Sequence, residues 1–202
     1  MATSGCSVKF VPSDHGRFTA EDVAAAINDP NAQWLARTRL VNIENTCNRG
    51  GGAVWSLKEV DKIRTVCSLH GLAMHMDGAR IFNALSVTKE KPEEWGKRFD
   101  TISICLSKGL GAPVGSILVG NKVLMANARR VRKRLGGGMR QAGILAAAGH
   151  YALDHHVDRL VEDHVRATTL GDAIADLPYV DHVMPVETNI IIFTLAGGRE
   201  AS

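Results

Sequence analysis

No stretch of this chain stays apolar for anything near the ~18 residues that a membrane-spanning helix needs, so no span is expected. The N-terminus lacks a charged segment followed by an apolar one, and no secretory signal is expected. The four cysteines, Cys6, Cys47, Cys67 and Cys105, form no CxxC pair and no spacing typical of zinc. They read as reduced thiols of an intracellular, cytoplasmic protein. The formal charge of +3 is small and gives no reason to expect nucleic acid or a membrane as partner. Eight histidines are present, yet no HExxH or comparable ligand spacing occurs, and no metal site is expected. Internal repeats and low-complexity linkers are also missing. What remains is an ordinary globular composition, 45% hydrophobic and 22% charged over 202 residues. Such a chain can bury a sizeable core, and one domain, with another or a piece of another, is the default.

Strand and helix patterns alternate over the first 120 or so residues. Val8 to Val11 reads as a short strand. Thr19 and Asp22 fit a capping box that opens a helix reaching about Asn28. Residues 39–44 alternate like a strand and lead into a polar, glycine-rich loop. Leu57, Val60, Ile63, Val66 and Cys67 share one helical face, and Gly71 closes that helix. A strand over 72–76 ends at Asp77, and a helix starts near Ala79 or Arg80. Residues 101–106 and 114–119 have the near-continuous apolar character of strands buried on both faces. Helices follow over 122–135, 140–154 and 157–175, and a β-branched strand over 188–195 closes the pattern with nothing nearby to pair with. The alternation argues an α/β fold with a mainly parallel sheet.

Asp77 and Lys108 stand at or just beyond the carboxyl ends of successive strands, where ligands of open α/β sheets bind. Such a pair suits one chemistry. A lysine can hold pyridoxal phosphate as a Schiff base, while an aspartate beneath the pyridine nitrogen keeps it protonated. Gly109 and Gly111 let the backbone turn around a cofactor. The alternative is a solvated loop lysine and a helix-capping aspartate. Arg80, three residues beyond Asp77, can face the same crevice and fork onto a carboxylate, or form a surface ion pair. The segment Gly136-Gly137-Gly138-Met139-Arg140 opens a helix whose N–H groups suit an anion, or serves as a hinge. The basic run from Arg129 to Arg134 is a solvated face, with some members free to meet a phosphate or a neighbouring subunit.

These segments together resemble the threonine aldolases, in the aromatic amino acid beta-eliminating lyase/threonine aldolase family of fold-type-I pyridoxal phosphate enzymes. The resemblance runs through Glu44-Asn45-Thr46 with Asn48, His75 to Ala84, Leu106 to Gly115 and Gly136 to Ala148. It implies a three-layer large domain over 1–165, incomplete, and the start of a small C-terminal domain over 166–202. Lys108 would be the catalytic lysine that carries the cofactor. Asp77 would pair with the pyridinium nitrogen and Arg140 with the cofactor phosphate. Arg80, Cys47 and Lys133 would lie at the substrate, Lys133 from the same or a neighbouring subunit. The implied reaction is retro-aldol cleavage of L-threonine or L-allo-threonine to glycine and acetaldehyde. The implied partners are a small amino-acid substrate and further copies of the chain in a homo-oligomer, dimer or tetramer. Other readings are β-elimination, transamination, or a non-catalytic relative.

Two departures from the family pattern stand out. Cys47 occupies the position where the family reads His in Glu-Asn-Thr-His-Asn. No Gly-Thr phosphate loop, ring-stacking histidine or later carboxylate-binding arginine is found. The chain is therefore expected to be truncated at both ends and to hold one half of the site.

Overall fold

The computed structural model describes residues 3–198. Local chemistry starts each early element. Helix α1 (Ala20–Ala26) opens on a reciprocal capping box: the Asp22 N–H donates to Thr19 Oγ1 at 3.1 Å, and the Thr19 N–H donates to Asp22 Oδ2 at 2.8 Å. Strand β1 (Leu40–Glu44) follows, then helix α2 (Leu57–Leu69), whose N-cap Ser56 accepts from the Glu59 N–H. Val60, Ile63 and Cys67 recur at helical spacing and are fully buried. Gly71, at φ +62°, lets the chain turn back into strand β2 (Ala73–Asp77). Helix α3 (Ile81–Thr88), the short helix α4 (Pro92–Gly96) and strand β3 (Thr101–Cys105) complete the first half. Strand β4 (Ser116–Gly120), helices α5 (Lys122–Arg134), α6 (Gly143–His155) and α7 (Leu160–Ala175), and strands β5 (Val180–Val183) and β6 (Phe193–Leu195) follow.

The main sheet runs β1-β2-β3-β4. Its first two pairings are parallel, with Glu44 opposite Asp77 and Asp77 opposite Ser103, so three carboxyl ends share one edge. The β3–β4 pairing is antiparallel. Ile43, Met74, Met76 and Ile102 join α1, α2 and α3 in one apolar cluster that includes Trp55 and Trp95. A second cluster packs Leu106, Leu110 and Ala112 of the loop that follows β3 with Ala152 of α6 and Leu160 of α7. Asp100 fastens the sheet to α2: its Oδ2 accepts from the Met74 N–H at 2.8 Å and from Arg64 Nη1 at 2.9 Å. Burial alone would raise the Asp100 carboxyl, but those two donors hold it below the usual carboxylate range.

Several expectations need correction. Residues 8–11 form no strand, and Phe10 is 89% exposed. Strand β4 is exposed at every position, and β3 buries Ile102 while its other residues are half-exposed, so neither is sealed on both faces. The sheet's β4 side carries α5, which buries none of its residues. Residues 136–142 are a loop, and α6 begins only at Gly143. Gly136 at φ +84° and Gln141 at φ +49° break the helical path there. The closing strand is shortened to Phe193–Leu195, and Thr188, at the start of the expected run, instead donates its hydroxyl to the Gly52 carbonyl at 2.8 Å. It is also not alone, since it pairs antiparallel with β5, an element the sequence did not announce. Helix α4, with proline at its first position, was likewise unforeseen.

Candidate active site

The carboxyl edge of the sheet gathers three loops. The first leaves β1 through Asn45, whose N–H donates to the Asp77 carbonyl at 2.9 Å, and reaches Cys47. The Cys47 N–H donates to the Ala53 carbonyl and the Gly52 N–H to the Cys47 carbonyl, both at 2.9 Å, which closes a tight glycine-rich loop. The Cys47 thiol is 2% exposed, turned inward, and donates to the Glu44 carbonyl at 3.1 Å. Burial pushes its pKa up to about 11, so it is a neutral thiol at physiological pH. Gly16 permits that packing: a Cβ there would stand 2.9 Å from the Cys47 sulfur.

The second loop follows β2. Asp77 is half-buried, and its Oδ1 accepts from the Ala79 N–H at 3.1 Å. The Gly78 N–H donates to the Ser103 carbonyl at 2.8 Å, tying this turn to β3. A Cβ on Gly78 would meet that carbonyl oxygen at 2.9 Å, so glycine is what allows the two strand ends to close. Arg80 caps α3 with its backbone. Its half-buried guanidinium makes no hydrogen bond or ion pair among the described residues.

The third loop carries Lys108, an exposed residue three positions beyond β3. The loop is held by backbone bonds: Leu106 N–H to the Gly115 carbonyl at 2.9 Å, Ala112 N–H to the Leu106 carbonyl at 3.0 Å, and Gly111 N–H to the Lys108 carbonyl at 2.8 Å. Gly111 stands at φ +71°, a conformation that favours glycine. The Lys108 ammonium has no partner among the described residues.

Asp77, Arg80 and Lys108 thus come to the same edge of the sheet. Lys133 and Arg140 do not join them through any contact. Lys133 lies in the last turn of α5, and its side chain runs along Gly138. Arg140 is exposed in the loop ahead of α6, outside the helix that was expected to lend it N–H groups. Sequence reasoning missed the supports beneath the Lys108 loop, namely Asn83, His156 and His164. Asn83 Nδ2 and His164 Nε2 lie 3.2 Å apart, and His156 Nδ1 lies 2.6 Å from the Leu110 carbonyl. The histidines were conspicuous in the sequence, but their spacing says nothing about partners so far away along the chain.

Residues 1–197 match the family model described as beta-eliminating lyase. The chain belongs to that family. It is 38% identical over 187 residues to the low-specificity L-threonine aldolase 1 of Arabidopsis thaliana, covering 92% of this chain and 52% of the relative. It is 42% identical over 187 residues to the low specificity L-threonine aldolase of Escherichia coli O157:H7, covering 93% and 54%. Among solved structures, the Leishmania major threonine aldolase superposes with a TM-score of 0.76 at 22% identity, over 93% of this chain and 55% of that one. The chain therefore spans about half the length of the curated relatives it matches. Its fold is the α/β architecture of fold-type-I pyridoxal phosphate enzymes, in part.

Proposed function

We propose that this chain carries the lysine-bearing part of a pyridoxal phosphate-dependent lyase that cleaves L-threonine or L-allo-threonine to glycine and acetaldehyde. One observation carries the reading: Asp77 and Lys108 emerge at the same edge of adjacent parallel strands locked in register. Those residues fit the cofactor chemically. Lys108 offers an exposed amine with no competing ion pair among the described residues, and Asp77 has one carboxylate oxygen committed to the Ala79 N–H while the other stays open. When bound, pyridoxal phosphate supplies a ring that accepts the electron pair released as a bond to Cα breaks.

The side chains do the rest. Lys108 would hold the cofactor through Nζ. Asp77 would face the ring nitrogen with its open carboxylate oxygen and favour a proton there. Arg80 forks onto the substrate carboxylate, which orients the Cα–Cβ bond. Arg140 and Lys133 add positive charge for phosphate and substrate, with Lys133 contributed across a subunit contact. Cys47 lies beside the substrate region as a neutral thiol, and its raised pKa argues against proton abstraction there. Assembly as a homo-oligomer belongs to the same proposal, supported by the exposed Ile117, Leu118 and Val119 on β4. Residues 166 onward are read as the start of a second domain, supported by the separate β5–β6 sheet.

The test is product analysis with cofactor and each of L-threonine, L-allo-threonine, serine and cysteine. Glycine with acetaldehyde in equal amounts is expected from the first two. Pyruvate from serine or cysteine, with no acetaldehyde from threonine, would move the chain to β-elimination. No product from a folded, cofactor-labelled chain would contradict the lyase assignment for this chain.

A further inference from the structure

We propose that His156 is a positioning residue that clamps the Lys108 loop onto the α6–α7 junction. The inference rests on the reading of Lys108 given above and adds the element that fixes where its amine stands. The loop between Leu106 and Ala112 closes on its own backbone bonds, and none of those bonds uses the Leu110 carbonyl. His156 takes that carbonyl from below, with Nδ1 at 2.6 Å. His156 is itself held, because its backbone N–H donates to the Ala152 carbonyl at the end of α6 and its ring meets the edge of Tyr151 at 5.5 Å between centroids.

Two glycines let the loop settle onto this support. A Cβ on Gly111 would lie 3.6 Å from His156 Nδ1, in ordinary contact, but Gly111 needs its positive φ. A Cβ on Gly109 would come within 2.9 Å of Leu160 Cδ2 and 3.4 Å of Asn83 Oδ1. Leu160 is buried at the start of α7, and Asn83, 3% exposed, is anchored by His164 of the same helix. Lys108 therefore rides on a floor made of α3, the end of α6 and the start of α7. A cleft of about 260 Å³ lies beside that floor, lined by Gly109, Gly111, His156, Arg159, Glu162 and Asp163. The backbone under Lys108 cannot drop into this cleft while His156 holds Leu110. A carbonyl accepts only from a protonated ring nitrogen, so the clamp requires a proton on Nδ1.

Four measurements test this. In the parent chain, the imidazole nitrogen shifts of His156 should report a protonated Nδ1; a neutral ring protonated only on Nε2 overturns the proposal without any variant. In the cofactor-free chain, His156→Phe should speed amide exchange at Gly111 and Ala112 at least ten-fold while Val60 and Ile63 in α2 keep their protection. His156→Asn places an amide nitrogen where Nδ1 stood and should restore protection to within about three-fold, whereas His156→Gln, one bond longer, should not. Unchanged exchange in His156→Phe, or equal behaviour of the Asn and Gln variants, overturns the clamp. Finally, borohydride trapping of pyridoxal phosphate on Lys108 should fall about ten-fold in His156→Phe and recover in His156→Asn. Equal trapping in the parent and in the phenylalanine variant overturns the positioning role. A parent chain that is never labelled at Lys108 would instead contradict the lyase reading, and the exchange data would still decide the clamp.

Discussion

Replacing Glu187 should detach the C-terminal segment from the β1 loop. Its carboxylate accepts from the Val54 N–H at 2.8 Å and pairs with Arg17 Nη1 at 2.9 Å, joining residues 133 and 170 positions apart. The same guanidinium also donates to the Val54 carbonyl at 3.2 Å. In Glu187→Ala the Val54 N–H loses its acceptor in a half-buried position, which costs about 1–3 kcal/mol. The ion pair adds little, roughly 0.2–1 kcal/mol, because Arg17 and Glu187 keep 34% and 30% of their side-chain surface exposed. The sum is about 2 kcal/mol. Glu187→Gln keeps an oxygen for Val54 and loses only the charge, so it should cost no more than the ion pair, roughly 0.2–1 kcal/mol. For a chain of this size, Glu187→Ala should lower Tm by about 4–8 °C. Urea melts followed by circular dichroism give the free energies, and Arg17→Met in both backgrounds isolates the pair. A loss below about 0.5 kcal/mol for Glu187→Ala would refute the idea that this carboxylate joins the two parts of the chain.

Two further outcomes follow from the same geometry. Burial pushes both Cys47 and Cys67 from 9.0 up to about 11, so the folded chain keeps protons that the unfolded chain releases. Their contribution to stability is full below the unfolded pKa of 9.0 and is lost as pH rises toward 11, up to about 2–3 kcal/mol per thiol. Urea midpoints should fall between pH 8 and 10.5, and Cys67→Ala should remove about half of that fall; a flat profile would contradict the burial argument. Asp77→Asn should lower turnover of cofactor-loaded enzyme at least ten-fold while Lys108 still accepts the cofactor, and equal turnover would remove Asp77 from its role beneath the ring.

What could be read from the sequence was local. The capping box at Thr19 and the spacing of Val60, Ile63 and Cys67 are settled within a turn or two of helix, and both appear as expected. Asp77 could be placed at a strand end, and Lys108 just past one, from the apolar runs before them, because strand ends follow from pattern. The exposure of β4 could not be read in this way: Ile117, Leu118 and Val119 look like buried strand residues, and only what packs on them decides. The glycines at 136–138 made a helix start look plausible, but their backbone freedom favours the loop that forms. Strand β5 and its partner pair across a bulge, a match no local pattern encodes. Cys47 was placed by its motif at the substrate, and the inward turn of its thiol depends on Gly16 and Glu44, which no spacing rule connects. His156 meets Leu110 across 46 positions, and that separation hid the support of the lysine loop.

The most direct test of the central claim is to mix the chain with pyridoxal phosphate, reduce with borohydride and map the modified residue by mass spectrometry. The account predicts a visible absorbance band and one dominant label on Lys108, absent in Lys108→Ala. A label spread over exposed lysines, or a band that survives Lys108→Ala, would contradict it.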